Sequence, residues 1–118
     1  MWEEAPRTWW ELGRAHAALN HYEEAVQAID RGFALIGGAD RDEMLKIKGD
    51  MLSQLGRYQE ALDAYTYGIK FRHHVRVLYQ AKVEVMRTMG QEKQAAKIEK
   101  ELQKLEQERE DNLRKHPI

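Results

Sequence analysis

The chain has 118 residues, of which 42% are hydrophobic and 33% are charged. This length and composition predict one domain with a real core and exclude a protein embedded in a membrane. Nineteen basic against twenty acidic side chains give a formal net charge of -1. The overall charge therefore attracts neither nucleic acid nor an anionic membrane surface, and neither is expected as a partner.

The N-terminus, MWEE, lacks the basic flank and apolar stretch of a signal peptide, and no apolar run approaches the roughly 18 residues that cross a bilayer. A cytoplasmic location is the default expectation. A periplasmic location stays open, because the absence of Cys is compatible with both compartments. That absence excludes disulfides, thiolate catalysis and thiolate zinc ligands.

Apolar residues recur at steps of three and four along the chain, which predicts amphipathic helices. The only prolines are Pro6 and Pro117, so nothing between them forbids helix. Two segments show the same apolar face: Tyr22, Ala25, Val26, Ile29, Phe33 and Ile36 in the first, and Tyr58, Ala61, Leu62, Tyr65 and Ile69 in the second.

These two segments belong to an internal repeat. Residues 22–25 (YEEA) are matched 36 positions later by residues 58–61 (YQEA), and a weaker copy follows at residues 91–95. In each copy a first helix is expected to end at a residue that tolerates the left-handed conformation, namely Asn20, Gly56 or Gly90, with a second helix starting within two residues. The pattern predicts three helical hairpins in which small residues let the helices approach: Gly13, Ala25, Gly49 and Ala61.

A period near 34 residues with the opening Trp-x2-Leu-Gly-x2-Tyr is typical of the tetratricopeptide repeat. Repeat one supplies Trp9, Leu12, Gly13 and His16, and repeat two supplies Leu45, Gly49 and Leu52. The chain resembles that family over about residues 6–106, with repeats at about 6–39, 42–75 and 76–109. The resemblance implies an all-α, right-handed α-solenoid of three helix-turn-helix hairpins.

Beyond Gly90 the chain is rich in charge, and its apolar residues stop after Ile98, Leu102 and Leu105. We interpret this segment as an extended last helix that forms a polar C-terminal cap, with residues 107–118 as its charged tail. A coiled-coil dimer is the alternative. It is disfavoured because the apolar seam covers barely one and a half heptads, so a monomer is favoured over a homo-oligomer.

No constellation of residues indicates catalysis. There is no glycine-rich phosphate loop and no serine nucleophile elbow, and the carboxylates scatter along helix faces. The five histidines lack the helical pair spacing of zinc ligands; His16 occupies the family's aromatic core position, and His73-His74 is interpreted as a solvated turn. The sequence predicts no enzyme, no metal site and no cofactor.

The resemblance implies a concave groove lined by the first helices of successive repeats, which receives an extended or helical peptide. The predicted function is a non-enzymatic protein-interaction module, an adaptor or scaffold with a protein or peptide ligand. Carried over to this chain, the groove residues are Arg7, Trp10, Arg14, Glu43, Lys46, Ile47, Asp50, Gln54, Val77, Gln80, Ala81, Glu84 and Arg87. The family's carboxylate clamp for chaperone tails is not expected, because only Arg14 keeps a positive charge at the clamp positions.

Trp9 and Trp10 are adjacent, and neighbouring helical residues point about 100° apart. Trp9 stands at the family's core tryptophan position, so we expect it to pack inside its hairpin, with Trp9→Ala costing about 3–5 kcal/mol. Trp10 is expected to face the groove, either as a ligand anchor or as cover for the first hairpin. With Arg7 and Arg14 beside it, it forms the strongest site candidate in the sequence.

Two alternatives to the interaction module remain open. The chain could be a structural element that self-assembles through its repeat ends, or the tetratricopeptide domain of a larger enzyme or complex. The sequence assigns no place to Trp2, and it leaves the repeat-to-repeat angle at Gly37-Gly38 undecided.

Overall fold

The computed structural model describes residues 5–36, 42–70 and 75–115, which form six α-helices and no strand. The helices are α1 (Pro6–Ala18), α2 (Tyr22–Ile36), α3 (Asp42–Gln54), α4 (Tyr58–Ile69), α5 (Val75–Thr88) and α6 (Glu92–Lys115). Consecutive helices pack as three hairpins, and α2 contacts α3 as α4 contacts α5. The predicted fold class, an α-solenoid of helical hairpins, is confirmed. The expectations for Trp2, Gly37-Gly38 and His73-His74 lie outside the described residues.

Each hairpin turns on one residue with a positive φ: 61° at Asn20, 76° at Gly56 and 77° at Gly90. In the first turn the N–H of His21 donates to the carbonyl of His16 over 2.8 Å, and that of Asn20 donates to Ala17 over 3.1 Å. This pair of bonds is the Schellman motif, which satisfies carbonyls that the helix end leaves free. The same pair closes the other two turns, so the turns predicted from the sequence are confirmed.

Small residues allow the two helices of a hairpin to approach closely, as the sequence predicted. A Cβ atom added at Gly13 would lie 2.7 Å from Cγ1 of Ile29, so α1 and α2 leave no room for a side chain there. Ala25 and Ala61 are fully buried at the equivalent contacts of their second helices. Helices of this length are marginal alone, and this packing supplies most of their stability.

The core has two parts. The larger one runs from α2 of the first hairpin through the second hairpin to α5, and it consists of Val26, Leu52, Ala61, Leu62, Tyr65, Leu78, Ala81 and Val85. The smaller one joins the first hairpin to α3 and consists of Trp10, Ile29 and Met44, with Phe33 and Ile47 packed against it.

The last helix, α6, has 24 residues against 14 in α5, so its C-terminal part extends past its hairpin partner. Ile98 and Leu102 are half-buried, whereas Leu105 and Leu113 are exposed. The apolar residues of α6 therefore pass from partly buried to exposed positions along the helix. This agrees with the interpretation of α6 as a polar C-terminal cap. None of the six described helices combines the length and the apolar character that crossing a bilayer requires.

Candidate functional site

A cleft of about 490 Å³ lies between α3 and α5, the first helices of the second and third hairpins. Residues three and four positions apart share one face of a helix, and each helix turns such a face to the cleft. Seven of the predicted groove residues line it, which are Lys46, Asp50 and Gln54 of α3 and Val77, Gln80, Ala81 and Glu84 of α5. The structure thus brings together the central part of the predicted groove.

The floor of the cleft is a fixed polar group centred on Asp50. Its Oδ1 accepts a hydrogen bond from the Tyr65 hydroxyl over 2.6 Å, and its Oδ2 pairs with Nζ of Lys46 over 2.5 Å. The pKa of the Tyr65 phenol is raised well above its usual value. Burial of the ring is the main cause, and the hydrogen bond to Asp50 is the second. Both oxygens of Asp50 are thus engaged within the protein.

The pKa of Tyr65 makes the stability of the fold depend on pH. The folded protein keeps the phenol neutral where the unfolded chain, with a Tyr pKa of about 10, ionises it. Its contribution is therefore complete below about pH 10 and is lost as the pH rises above that value. We expect Tyr65→Phe to cost about 1.5 kcal/mol at pH 8, and clearly less at pH 11. Denaturant unfolding at both pH values measures this; equal losses would contradict the assigned cause.

Above this floor, three polar side chains remain uncommitted. Glu84 makes no ion pair with a described residue, and the amides of Gln54 and Gln80 make no hydrogen bond within the described part of the chain. Beside them, Val77 is 43% exposed. The cleft therefore offers one carboxylate, two amides and an apolar contact to a ligand.

The expected position of Trp10 is wrong. Its side chain is only 5% exposed and packs edge-on against Phe33, with ring centroids 5.7 Å apart. The reason lies on α2, where Gly32 has no side chain: a Cβ atom there would lie 2.4 Å from Nε1 of Trp10. The tryptophan fills the space that this glycine leaves, so it is part of the core and does not line the groove.

Trp9, expected in the core, is the less buried of the two. It is half-buried, and the guanidinium carbon of Arg31 lies 5.2 Å from its ring centroid, a cation–π distance. Its indole nitrogen has no hydrogen-bond partner among the described residues. The tandem tryptophans thus have separate surroundings, as predicted, but the more deeply buried of the two is Trp10.

The remaining groove residues of α1 do not join the cleft. Arg7 pairs with Glu11 on its own helix over 3.1 Å, and Arg14 reaches Glu43 of α3 over 2.8 Å. These pairs are exposed, and such surface ion pairs contribute little to stability. With Trp10 buried, the predicted aromatic and basic cluster on α1 is not formed, and Arg14 instead bridges the first two hairpins.

Arg87 lies on the other side of α5, in a second cleft of about 520 Å³ between α5 and α6. Its guanidinium pairs with Glu92, over 3.0 Å, and with Glu99, so it is committed to holding α6. The hydrogen bond from Arg87 lowers the pKa of the Glu99 carboxyl. Gln80 and Glu84 border both clefts.

The sequence did not predict Tyr65 as a site residue. Its position in the apolar stripe of α4 indicated a core residue, and its ring is indeed buried. The signal that could have found its second role is Gly49, because a glycine at a helix contact leaves room for a large ring. A Cβ atom at Gly49 would lie 2.3 Å from the Tyr65 ring.

His16, expected to be packed in the core, is half-buried at the first hairpin turn. Its Nδ1 lies 3.2 Å from Nδ1 of His21. Together with Glu24 these residues form a group whose ligand-type atoms all lie within 4.8 Å of one another. The structure therefore places two histidines and a carboxylate together where the sequence predicted no metal site.

Stacked hairpins whose first helices enclose a cleft define a helical-repeat protein. Residues 6–35, which span α1 and nearly all of α2, match the family model described as tetratricopeptide repeat. The resemblance to that family is thus confirmed. Comparison with curated proteins found no match.

Solved structures of MamA share the fold. One described as the crystal structure of MamA protein superposes with a TM-score of 0.80 at 21% identity, covering 98% of this chain and 60% of that one. A second crystal structure of MamA gives a TM-score of 0.77 at 22% identity, covering 91% of this chain and 62% of that one. The chain thus spans about three fifths of the length of these structures.

Proposed function

We propose that the chain is a protein-interaction module that binds an extended segment of a partner protein in the cleft between α3 and α5. The observation that carries the proposal is the group of uncommitted side chains, Gln54, Gln80 and Glu84, above a floor that is already fixed by internal bonds. Tetratricopeptide-like folds are typical of non-enzymatic interaction modules, which supports this class of function.

The chemistry of the cleft favours a basic peptide segment. The ammonium of Lys46 is matched by Asp50, so the carboxylate of Glu84 is the charge left for a ligand, and a Lys or Arg side chain would make a charge-assisted hydrogen bond with it. The amides of Gln54 and Gln80 can both donate and accept, as an extended peptide backbone requires. Val77 supplies an apolar contact beside them.

A peptide-display selection tests the proposal. We expect the wild-type chain to enrich peptides that share a basic residue, and Glu84→Lys to lose them, because the variant replaces attraction by repulsion. Glu101→Lys is the matched control: it makes the same charge change at an exposed position of α6, away from the cleft, and should keep the peptides. Enrichment that is absent, or equal in wild type and Glu84→Lys, would contradict binding in this cleft.

Self-assembly is the second candidate function, and the observation that favours it is the exposed apolar end of α6. Leu105 is 44% exposed and Leu113 is 64% exposed, and both border a shallow depression on the outer surface. Light scattering over a range of concentrations distinguishes the candidates, since a monomer at high concentration removes self-assembly. The remaining alternative, that the chain is the tetratricopeptide domain of a larger enzyme or complex, is compatible with either candidate function.

A further inference from the structure

We propose that His16, His21 and Glu24 form a binding site for a divalent transition-metal ion of the Zn²⁺ class at the turn of the first hairpin. Two imidazole nitrogens and a carboxylate oxygen are a known donor set for Zn²⁺ in proteins, with water completing the coordination. The three side chains lie on the outside of the α1–α2 turn and take no part in the cleft.

The backbone of the turn holds the two histidines together. His16 and His21 occupy the two Schellman positions whose residues are joined by the 2.8 Å backbone hydrogen bond, and side chains at these positions commonly contact each other. The helix ends thus fix the spacing before any ion binds. This pre-organisation reduces the conformational entropy that binding would otherwise cost.

The second hairpin provides an internal comparison. The equivalents of His16, His21 and Glu24 are Leu52, Arg57 and Glu60 in the second hairpin, where the same backbone bond is 2.9 Å long. There the side chains of Arg57 and Glu60 already contact each other, since Nε of Arg57 lies 2.6 Å from a Glu60 oxygen. The geometry therefore brings positions 21 and 24 within reach of each other, and only the first hairpin places two histidines on it.

The distances fit a bound ion. Two ligand nitrogens at Zn–N bonds of about 2.0–2.1 Å in a tetrahedral site are separated by about 3.3–3.4 Å. The two Nδ1 atoms lie 3.2 Å apart. Glu24, whose carboxylate lies within 4.8 Å of the histidine ligand atoms, is exposed and can close the remaining gap by side-chain rotation.

Coordination through Nδ1 follows from this arrangement. Without metal, one imidazole must donate Nδ1–H to the lone pair of the other. With metal, both Nδ1 lone pairs point to the ion, so the imidazole that donated through Nδ1 carries its proton on Nε2 instead. The ion then joins the end of α1 to the start of α2 and stabilises the hairpin by mass action.

Calorimetric titration of the chain, free of any affinity tag, with ZnCl₂ tests the site. We expect one ion per chain, and at least a tenfold loss of affinity in His16→Ala and in His21→Ala. The matched control is His73→Ala with His74→Ala, which removes two histidines elsewhere and should leave the affinity unchanged. Absence of binding, or binding that survives His16→Ala and His21→Ala but not the control pair, would overturn the proposal.

Two further measurements keep the test decisive if His16→Ala does not fold. Glu24→Gln alters only an exposed carboxylate, so it should fold and bind Zn²⁺ more weakly. In the wild type, histidine nitrogen NMR should show Zn²⁺ shifting Nδ1 of both residues while Nε2 keeps its proton. Unchanged Nδ1 signals on saturation with Zn²⁺ would contradict the assigned ligands.

Discussion

Replacing Trp10 by alanine is expected to lower the free energy of unfolding by about 3–5 kcal/mol, because it removes a buried ring and leaves a cavity. The ring fills the space over Gly32 and joins α1 to Ile29 and Met44. These contacts tie the first hairpin to the second, so the surroundings cannot collapse without moving a helix. Chemical denaturation followed by circular dichroism measures the loss.

Trp9→Ala is the control, since it deletes the same side chain at the adjacent position. Trp9 is half-buried and contacts Arg31 on the surface of the hairpin, so its loss should cost only about 1–2 kcal/mol. The order of the two effects is the critical outcome. A larger loss for Trp9→Ala than for Trp10→Ala would indicate that Trp9 is the core residue, as the sequence motif predicted. It would contradict the observed burial of Trp10.

The second large effect is expected for Gly49→Leu, at about 3 kcal/mol or more. The first atom of any side chain at this position would lie 2.3–2.7 Å from three atoms of the Tyr65 ring. The ring is only 2% exposed, so α3 and α4 must separate to admit the leucine. Displacement of the ring also breaks its hydrogen bond to Asp50, and the cleft loses its floor.

Ala34→Leu provides the comparison for Gly49→Leu. Ala34 lies on the exposed face of α2, so the same new side chain should change stability there by no more than about 0.5 kcal/mol. Combining Gly49→Leu with Tyr65→Ala makes room for the leucine, and the double variant should be more stable than the sum of the single losses predicts. Strict additivity would mean that the two positions do not contact each other.

The hairpins were predictable because their signals are local. The apolar periodicity of a helix depends on residues three and four positions apart. The turns depend on single residues that accept a positive φ, namely Asn20, Gly56 and Gly90. The 36-residue repeat then indicated that the hairpins stack, because each buries an apolar face that it cannot cover alone. These predictions depended on no knowledge of how one hairpin is oriented on the next.

The candidate site was predicted unevenly. Lys46, Asp50, Gln80 and Glu84 share a cleft as predicted, because their spacing fixes the helix face and the solenoid turns those faces inward. Trp10 was misplaced because the local motif does not specify which side chain fills the space over Gly32, 22 residues further along the chain. The His16 and His21 pair was missed because a spacing rule for a continuous helix does not apply across a turn.

The sequence by itself determined the six helices, their turns and their hairpin pairing, since these depend on periodicity and backbone conformation within short segments. Only the tertiary structure decided which tryptophan is buried, that Tyr65 supports Asp50, and that two histidines and a glutamate meet. Those outcomes depend on which volumes remain between packed helices. Side chains that are distant in sequence can fill the same space, and local sequence preferences do not specify which of them does so.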